Sequence, residues 1–110
     1  MVEADVAIQA LLGRLDDAFQ SKVRLGIVAA LVGAGSMDFR GLKRTLQVTD
    51  GNLASHLAYL ERREFVRIEK SFVGRRPHTE VFLTEEGRLG FRQYIEALAR
   101  IVGAAGELGA

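Results

Sequence analysis

Two short polar segments of this sequence carry side chains suited to contact an anionic partner. The first, from Thr49 to His56, offers hydroxyl, amide and imidazole groups, which can hydrogen-bond to the edges of DNA bases. The second, Gly74-Arg75-Arg76-Pro77, is a turn sequence with two permanent positive charges, and arginine pairs readily with phosphate. Both lie between Arg40 and Glu80, a segment that contains nine Lys/Arg and five Asp/Glu. The rest of the chain contains six Lys/Arg and nine Asp/Glu. A local positive excess in a chain of net charge +1 indicates a localised anionic partner.

The same sequence offers little for catalysis or for a metal ion. Glu85-Glu86 stand at the start of the last predicted helix, where carboxylates interact favourably with the helix dipole. No serine lies in a G-x-S-x-G context, and the 110 residues contain neither a P-loop nor G-x-G-x-x-G. Cysteine is absent, and His56 and His78 are the two histidines, so ligands for a first-row metal are too few. We therefore expect no enzymatic activity, no catalytic residue, no cofactor and no metal site.

Apolar periodicity predicts two helices in the first third of the chain. The first covers about residues 2–19, and the second runs from an N-cap at Ser21 to about Gly33. The second is apolar nearly all round, so it should be the most buried helix of the fold. The apolar stripe of the first helix consists of Ile8, Leu11, Leu12 and Leu15.

Residues 38–63 have the pattern of a helix-turn-helix. Asp38 caps a short helix that follows an extended stretch at Ser36-Met37, a turn lies at Gln47-Val48, and Thr49 caps a second helix to about Arg63. The apolar positions at which these helices cross or pack are Phe39, Leu42, Leu46, Val48, Leu53, Leu57 and Leu60. The start of the second helix is small and polar, as is required of a helix end that enters the major groove of DNA.

A β-hairpin follows the second of these helices. Val66 and Ile68 alternate with charged residues, and Val81 and Leu83 show the same period of two. Two strands of about eight residues therefore flank the turn at Gly74-Arg75-Arg76-Pro77. The pattern does not fix the register over residues 70–73, and it leaves a bulge there open.

Thr84 caps a last helix, which we expect to fray in the glycine-rich segment after Gly103. This helix and the first each carry an apolar stripe that a core of three helices and a hairpin covers on one side only. A two-fold dimer through both helices would bury the surplus. The alternative is a monomer in which the first helix folds back over the last one. The predicted dimer interface consists of Leu11, Leu12, Leu15, Tyr94, Leu98, Ile101 and Val102.

The stretch LQVTDGNLASHLAYLERREFVRIEKSFVGRRPHTEVFLTEEGRLGFRQYIEAL resembles the winged-helix transcriptional regulators of the MarR/ArsR-like group of bacteria and archaea. T-D-G-N-L-x-x-H-L occupies Thr49–Leu57, G-R-R-P-x-T occupies Gly74–Thr79, and L-T-x-x-G occupies Leu83–Gly87, in the order of the family. The resemblance covers roughly residues 21–98. It implies an α+β winged helix-turn-helix fold, mostly helical with one β-hairpin wing and long terminal helices, and it implies a dimeric DNA-binding regulator.

The resemblance and the pattern together place recognition helix 49–63 in the major groove and wing 74–78 on the backbone or in the minor groove. The predicted contacts of the recognition helix are Thr49, Asp50, Gly51, Asn52, Ser55, His56, Tyr59 and Arg63. Asn52, Ser55 and His56 are predicted to face base edges, because they lie opposite the leucine stripe of that helix. The predicted contacts with the DNA backbone, including those of the wing, are Arg40, Lys43, Arg44, Lys70, Arg75, Arg76 and His78. The alternatives are that Asn52 and Ser55 cap or solvate their helix, that His56 is a surface histidine, and that Tyr59 packs on the wing.

We expect one domain over residues 1–110, divided into a dimerisation helix (1–20), the helix-turn-helix (38–63), the wing (64–83) and a second dimerisation helix (84–103). The acidic N-terminus and the absence of a span-length apolar run predict a cytoplasmic protein. The expected partners are double-stranded DNA with an inverted-repeat operator and a second copy of the chain, without a membrane. The alternative function is a winged-helix module that binds protein, for which the recognition helix would need an apolar outer face.

Overall fold

The structure, a computed structural model, describes the backbone of residues 2–109 and the side chains of residues 6–106. Helices and strands follow one another as a winged helix with a long C-terminal helix, which confirms the predicted α+β fold class. The elements are α1 (Val2–Leu12), a 3₁₀ turn (Asp17–Phe19), α2 (Lys22–Ala34), β1 (Ser36–Asp38), α3 (Phe39–Leu46), α4 (Asp50–Arg62), β2 (Val66–Val73), β3 (Arg76–Leu83) and α5 (Glu85–Gly109). None of the helices within residues 2–109 is both long enough and apolar enough to cross a membrane.

Side-chain caps begin the helices where the sequence predicts them. Each cap accepts a hydrogen bond from the backbone N–H three residues later, which satisfies a donor that the helix itself leaves free. The donor–acceptor distances are 3.3 Å at Ser21, 2.8 Å at Asp38, 3.1 Å at Thr49 and 2.9 Å at Thr84. These caps fix the first turns of α2, α3, α4 and α5.

The core lies between α2, α4 and the sheet, with the 3₁₀ turn closing one end. The predicted stripe of α4 is buried, and α2 is the central helix, as its composition indicates. Phe19, from the 3₁₀ turn, packs on three aromatic rings, with centroids at 5.7 Å for Phe65, 5.9 Å for Phe91 and 5.1 Å for Tyr94. The largest fully buried side chains are Phe19, Ile27, Val28, Leu31, Leu42, Leu53, Leu60 and Val81. Each contributes about 1.5–3 kcal/mol by its burial.

Both terminal helices differ in length from the prediction. The first helix ends at Leu12 instead of Phe19. A separate 3₁₀ turn follows, which Asp16 caps by accepting a 2.9 Å hydrogen bond from the N–H of Ala18. The last helix continues through the glycine-rich segment to Gly109 instead of fraying after Gly103. It does so with α1 lying along it in the same chain, which gives its outer half a packing partner.

The three strands form an antiparallel sheet in the order β1-β3-β2. Pairing of β2 with β3 is continuous from Val66 opposite Leu83 to Val73 opposite Arg76, so there is no bulge in the stretch that the sequence left open. The connecting turn is the two residues between Val73 and Arg76. Its first residue, Gly74, has a φ of 64°, a value that two-residue hairpin turns require and that glycine adopts without strain.

Candidate nucleic-acid interface

The turn between α3 and α4 sets the direction of α4. Gln47 ends α3 in the left-handed conformation, with a φ of 54°, and its N–H donates to the carbonyl of Lys43 at 2.8 Å. Leu46 and Val48, on either side, pack against the core. A Cβ at Gly26 of α2 would lie 2.8 Å from the Leu46 side chain, so the glycine permits the close approach of α2 and α3. The helix pair is therefore held on both sides of its turn.

The N-terminal end of α4 is exposed and open. Asn52 and Ser55 lie on the surface, and their side chains make no hydrogen bond with any other described residue. A Cβ built at Gly51 would meet no atom of the described chain within 4 Å, so another molecule has room to approach its backbone. Thr49 uses its hydroxyl as the cap, and the Asp50 carboxylate lies 2.8 Å from Lys43 Nζ. Lys43 thereby offsets the negative charge of Asp50, which would otherwise repel an anionic partner.

His56 does not lie opposite the leucine stripe, as the prediction assumed, but on the side of α4 that faces α2. It is half-buried, and its Nδ1 lies 3.2 Å from Nη1 of Arg24. Partial burial lowers the pKa of the imidazole below its usual 6.5, and the adjacent guanidinium lowers it further. His56 is therefore a neutral, fixed side chain near neutral pH. Whether it contacts DNA stays a prediction.

Tyr59 and Arg63 continue the same side of α4. Arg63 makes a two-pronged ion pair with Asp16, with 2.9 Å and 2.6 Å between nitrogen and oxygen, and it donates to the Tyr59 hydroxyl at 3.3 Å. The hydrogen bond from Arg63 holds the pKa of the Asp16 carboxyl below its usual value, and the bond from the N–H of Ala18 acts in the same direction. The Arg24 guanidinium lies over the Tyr59 ring, 4.1 Å from its centroid. Tyr59 thus packs towards α2, not on the wing.

The wing extends away from the core. Arg75 lies in its turn and Arg76 begins β3, and both are exposed. Two apolar side chains beside them, Phe72 and Val73, are 72% and 66% exposed. His78 is half-buried instead, and its Nε2 lies 2.8 Å from an oxygen of Glu80, two residues further along β3. The structure therefore brings together two arginines and two apolar side chains at the tip.

A groove of about 610 Å³ separates α4 from the hairpin. On the helix side it is lined by the small residues Ala54 and Ala58, and on the hairpin side by Lys70 and Thr79. Phe39, Leu57, Glu61 and Ile68 complete its lining. The other predicted cations, Arg40 and Arg44, are exposed on α3. The groove thus lies between the recognition helix and the wing, and its lining includes a cation, a hydroxyl and the Glu61 carboxylate.

The predicted dimer interface is partly used within the chain itself. Because α1 lies along α5, the arrangement contains the packing of the monomer alternative, and Leu11, Leu98 and Ile101 are half-buried. Tyr94 is 8% exposed and packs on Phe19, so it belongs to the core of its own chain and not to an interface. Leu15 also packs against the core. The large apolar side chains left exposed on these helices are Val6, Leu12, Leu89, Ile95 and Val102.

Sequence reasoning missed Arg24, the residue with the most side-chain partners in this region. Besides His56 and Tyr59, it bonds the carbonyls of Ala18 at 2.8 Å and Asp17 at 3.1 Å. One signal was available, since Arg24 is the only charged residue from 23 to 37, within the most apolar helix. A charge in such a helix needs polar partners. Asp16, Phe72 and Val73 were missed as well.

Known proteins are similar to this chain in sequence and in fold. The winged helix DNA-binding domain family matches residues 23–102. An uncharacterized protein of Methanocaldococcus jannaschii is 40% identical over 83 residues, which are 76% of this chain and 90% of the relative. Among solved structures, a transcriptional regulator homologue from Pyrococcus horikoshii has a TM-score of 0.79 at 26% identity, covering 90% of this chain and 96% of its own.

A MarR family transcriptional regulator from Streptomyces coelicolor, solved in complex with DNA, has a TM-score of 0.62 at 22% identity. The match covers 92% of this chain and 68% of that one, and it shows a shared fold.

Proposed function

This chain belongs to the winged helix DNA-binding domain family, and we propose that it is a transcriptional regulator that binds double-stranded DNA sequence-specifically as a homodimer. One observation carries the proposal. Helix α4, whose N-terminal end is exposed and open, lies across a groove from a hairpin whose tip presents Arg75 and Arg76. A recognition helix and a basic wing on one molecule fit the major groove and the neighbouring backbone or minor groove of a duplex.

We assign the reading of base edges to the first two turns of α4. Asn52 can donate to and accept from adenine, and Ser55 can bond to any base at short range. Gly51, with no atom of the described chain near its missing Cβ, lets the helix come close to the duplex. Thr49 and the Asp50–Lys43 pair lie beside a DNA strand in this arrangement, where Lys43 offsets the carboxylate. The wider set of predicted contacts from Thr49 to Arg63 stays a proposal.

The groove between α4 and the wing is proposed to hold the sugar–phosphate strand that separates the two DNA grooves. Ala54 and Ala58 leave space on the helix side, and Lys70 and Thr79 offer a charge and a hydroxyl on the hairpin side. Arg75 and Arg76 then pair with phosphates beyond that strand. Arg40 and Arg44 are candidates for further phosphate contacts, because both are exposed and lie one helical turn apart on α3.

The dimer is proposed to form through the arm that α1 and α5 make together. The molecule is elongated, with extents of 62 × 25 × 21 Å, and the outer part of α5 has α1 as its packing partner. Two helices cannot cover each other on all sides. Ile95 and Val102, which lie seven residues apart on one side of α5, remain 44% and 71% exposed. A second arm would cover this stripe, with Leu12 and Val6 on α1 as neighbours.

We accordingly propose the division of the chain with the helix limits of the structure. Residues 2–12 and 85–109 form the dimer arm, residues 38–63 the helix-turn-helix and residues 64–83 the wing. A two-fold dimer sets two recognition helices about 34–36 Å apart, so the operator should be an inverted repeat. A protein with this function works beside the chromosome, and a cytoplasmic location is part of the proposal.

Selection from a random pool tests the DNA-binding function. The purified protein is mixed with duplexes of about 30 base pairs whose central positions are randomised, and bound duplexes are amplified over several rounds. We expect one sequence family to be enriched, with an affinity at least about a thousandfold above that of a scrambled duplex. If a folded protein enriches no sequence, DNA reading is wrong and the alternative function, a module that binds protein, takes its place.

Charge placed on the arm tests the dimer. Val102→Glu should convert the dimer to a monomer in sedimentation velocity runs at micromolar concentration, because a buried, unpaired carboxylate opposes association. Leu89→Glu is the matched control, since Leu89 is exposed on another side of α5. A wild-type protein that sediments as a monomer, or a Val102→Glu variant that stays dimeric, would contradict this interface.

A further inference from the structure

Arg24 and His56 meet between α2 and the recognition helix. The Arg24 guanidinium is held in place by the carbonyls of Asp17 and Ala18 and by the Tyr59 ring below it. Its remaining Nη1 lies 3.2 Å from Nδ1 of His56. Because a guanidinium can donate but cannot accept, Nδ1 must be the acceptor and carries no proton. The single proton of the neutral ring then resides on Nε2.

The second ring nitrogen is free to meet another molecule. Nε2 of His56 makes no hydrogen bond with a described residue. None of the buried side-chain nitrogen and oxygen atoms in the described part of the chain lacks a partner. An unpartnered Nε2 on a half-buried residue is therefore open to solvent, on the side of the ring away from Arg24.

We propose that Arg24 is a specificity-determining positioning residue, which fixes His56 as a neutral hydrogen-bond donor and so makes it read an acceptor atom on a base edge. This inference rests on the proposed function, because it assigns a task within DNA reading. In the major groove the acceptors are N7 and O6 of guanine, N7 of adenine and O4 of thymine. A histidine free to change tautomer would accept as readily as donate, and a protonated one would bind any phosphate. Arg24 removes both ambiguities.

The surroundings of His56 keep it neutral in the physiological range. The charged and titratable groups that face the ring are Arg24 from α2 and Tyr59 from α4 itself. Neither is a carboxylic acid, and no carboxylate of the described residues pairs with His56. Burial and the positive charge of Arg24 therefore both lower the pKa of His56. The donor on Nε2 is thus present at neutral pH.

Long-range ¹H–¹⁵N NMR of the histidine rings tests the arrangement on the DNA-free protein. With two histidines in the chain, His78 serves as an internal reference. We expect His56 to show one tautomer, with a bare Nδ1 and a protonated Nε2, and to titrate below pH 6.5. Arg24→Met should give a mixture of tautomers and a higher titration midpoint, while Arg92→Met, which removes the same charge from the exposed surface of α5, should change neither. A wild-type His56 with its proton on Nδ1, or one that titrates at its usual pH, would overturn the proposal.

Binding of the enriched duplex tests the use of the donor. The readout is the ratio of affinities for the enriched and the scrambled duplex. Arg24→Met and His56→Ala should each lower this ratio about three- to tenfold, the range of one hydrogen bond, and the double variant should lose no more than His56→Ala alone. As the pH falls through 6.5, the ratio should change less for the wild type than for Arg24→Met, whose His56 lacks the neighbouring positive charge. If Arg24→Met does not fold, the wild-type spectrum and His56→Ala carry the test.

The two experiments separate this proposal from the proposed function. If the NMR spectrum is as expected but His56→Ala keeps the full affinity ratio, His56 does not read DNA and the proposal fails while the function stands. Equal losses from Arg24→Met in the wild type and in the His56→Ala background would likewise overturn it, because Arg24 would then act independently. If no duplex is enriched, the proposed function fails and the reading role of His56 fails with it.

Discussion

The recognition helix and the wing differ in how firmly the rest of the fold holds them. On α4, Leu53 and Leu60 are fully buried, Thr49 caps the first turn, and Arg24 and Arg63 tie one side to α2 and the 3₁₀ turn. On the hairpin, every side chain from Glu69 to Pro77 is exposed. A helix held on several sides presents its polar groups at fixed positions, whereas a hairpin tip without a core can adjust to the surface it meets. We infer that α4 discriminates between sequences and that the wing adds affinity to any sequence.

The largest expected difference between the two regions is in stability. Leu60→Ala should lower the free energy of unfolding by about 2–5 kcal/mol, because it leaves a cavity in a fully packed core. Phe72→Ala should change it by no more than about 0.5 kcal/mol, since Phe72 is 72% exposed. Urea denaturation followed by circular dichroism measures both. Similar losses for the two variants would show that the wing tip is held by contacts like those of α4.

A second difference is expected in sequence reading. Asn52→Ala should cost about 1–3 kcal/mol of binding free energy on the enriched duplex and little on a scrambled one. Ser55→Ala should act in the same direction with a smaller loss, because a hydroxyl offers one contact where an amide offers two. Fluorescence anisotropy at one salt concentration gives both affinities. Equal losses on the two duplexes would reassign Asn52 to the DNA backbone.

The wing should show the opposite behaviour. Arg75→Ala and Arg76→Ala should weaken binding to both duplexes alike, and each should reduce the slope of log affinity against log salt by about one unit. The measurement is a series of anisotropy titrations between low and moderate salt. An unchanged slope in the double variant would mean that the wing tip does not touch phosphate.

The smallest effect concerns the ion pair that ties α4 to the 3₁₀ turn. Arg63 lowers the pKa of Asp16 in the folded state, so the unfolded chain takes up this proton at a higher pH than the folded one. The stabilisation is therefore complete at neutral pH and is lost as the pH falls below 3.8 through the folded pKa. Asp16→Asn should lower the free energy of unfolding by about 0.5–1 kcal/mol at neutral pH, and the difference should shrink as the pH falls below 3.8.

Glu69→Gln is the matched control for that ion pair. Glu69 pairs with Arg67 on the exposed hairpin, so its loss should leave stability nearly unchanged at either pH. Urea unfolding at neutral and at acidic pH measures both variants. If Asp16→Asn lowers the free energy of unfolding by the same amount at both pH values, the stabilisation does not come from the charge of Asp16.

The sequence predicts local features of this fold well. A cap and the stripe behind it lie within a few residues of each other, so Thr49 and Leu53 signal their helix directly. The alternation of Val66 with Ile68 signals the strand in the same way, and the match to the winged helix DNA-binding domain family confirms the resemblance at the level of the family. The roles of the individual motif residues stay predictions.

Contacts between distant residues leave no such signal. Arg24 and His56 are 32 positions apart, and Asp16 and Arg63 are 47 apart, so no periodicity connects them. An apolar stripe on the first helix likewise predicts that the helix needs a partner but not which one, and here α5 of the same chain takes that place. The face assigned to His56 was wrong for a related reason, since a position at the border of a stripe takes its surroundings from the neighbouring helix.

A hydroxyl-radical footprint of the enriched duplex tests most directly the claim that α4 reads DNA as part of a symmetric dimer. We predict protections related by a two-fold axis, with the two halves centred about 10 base pairs apart, and with additional protection of the flanking backbone. The flanking protection should disappear in the double variant Arg75→Ala and Arg76→Ala, while the central pattern remains. A single protected patch without two-fold symmetry, or a central pattern that is lost together with the wing, would contradict the account.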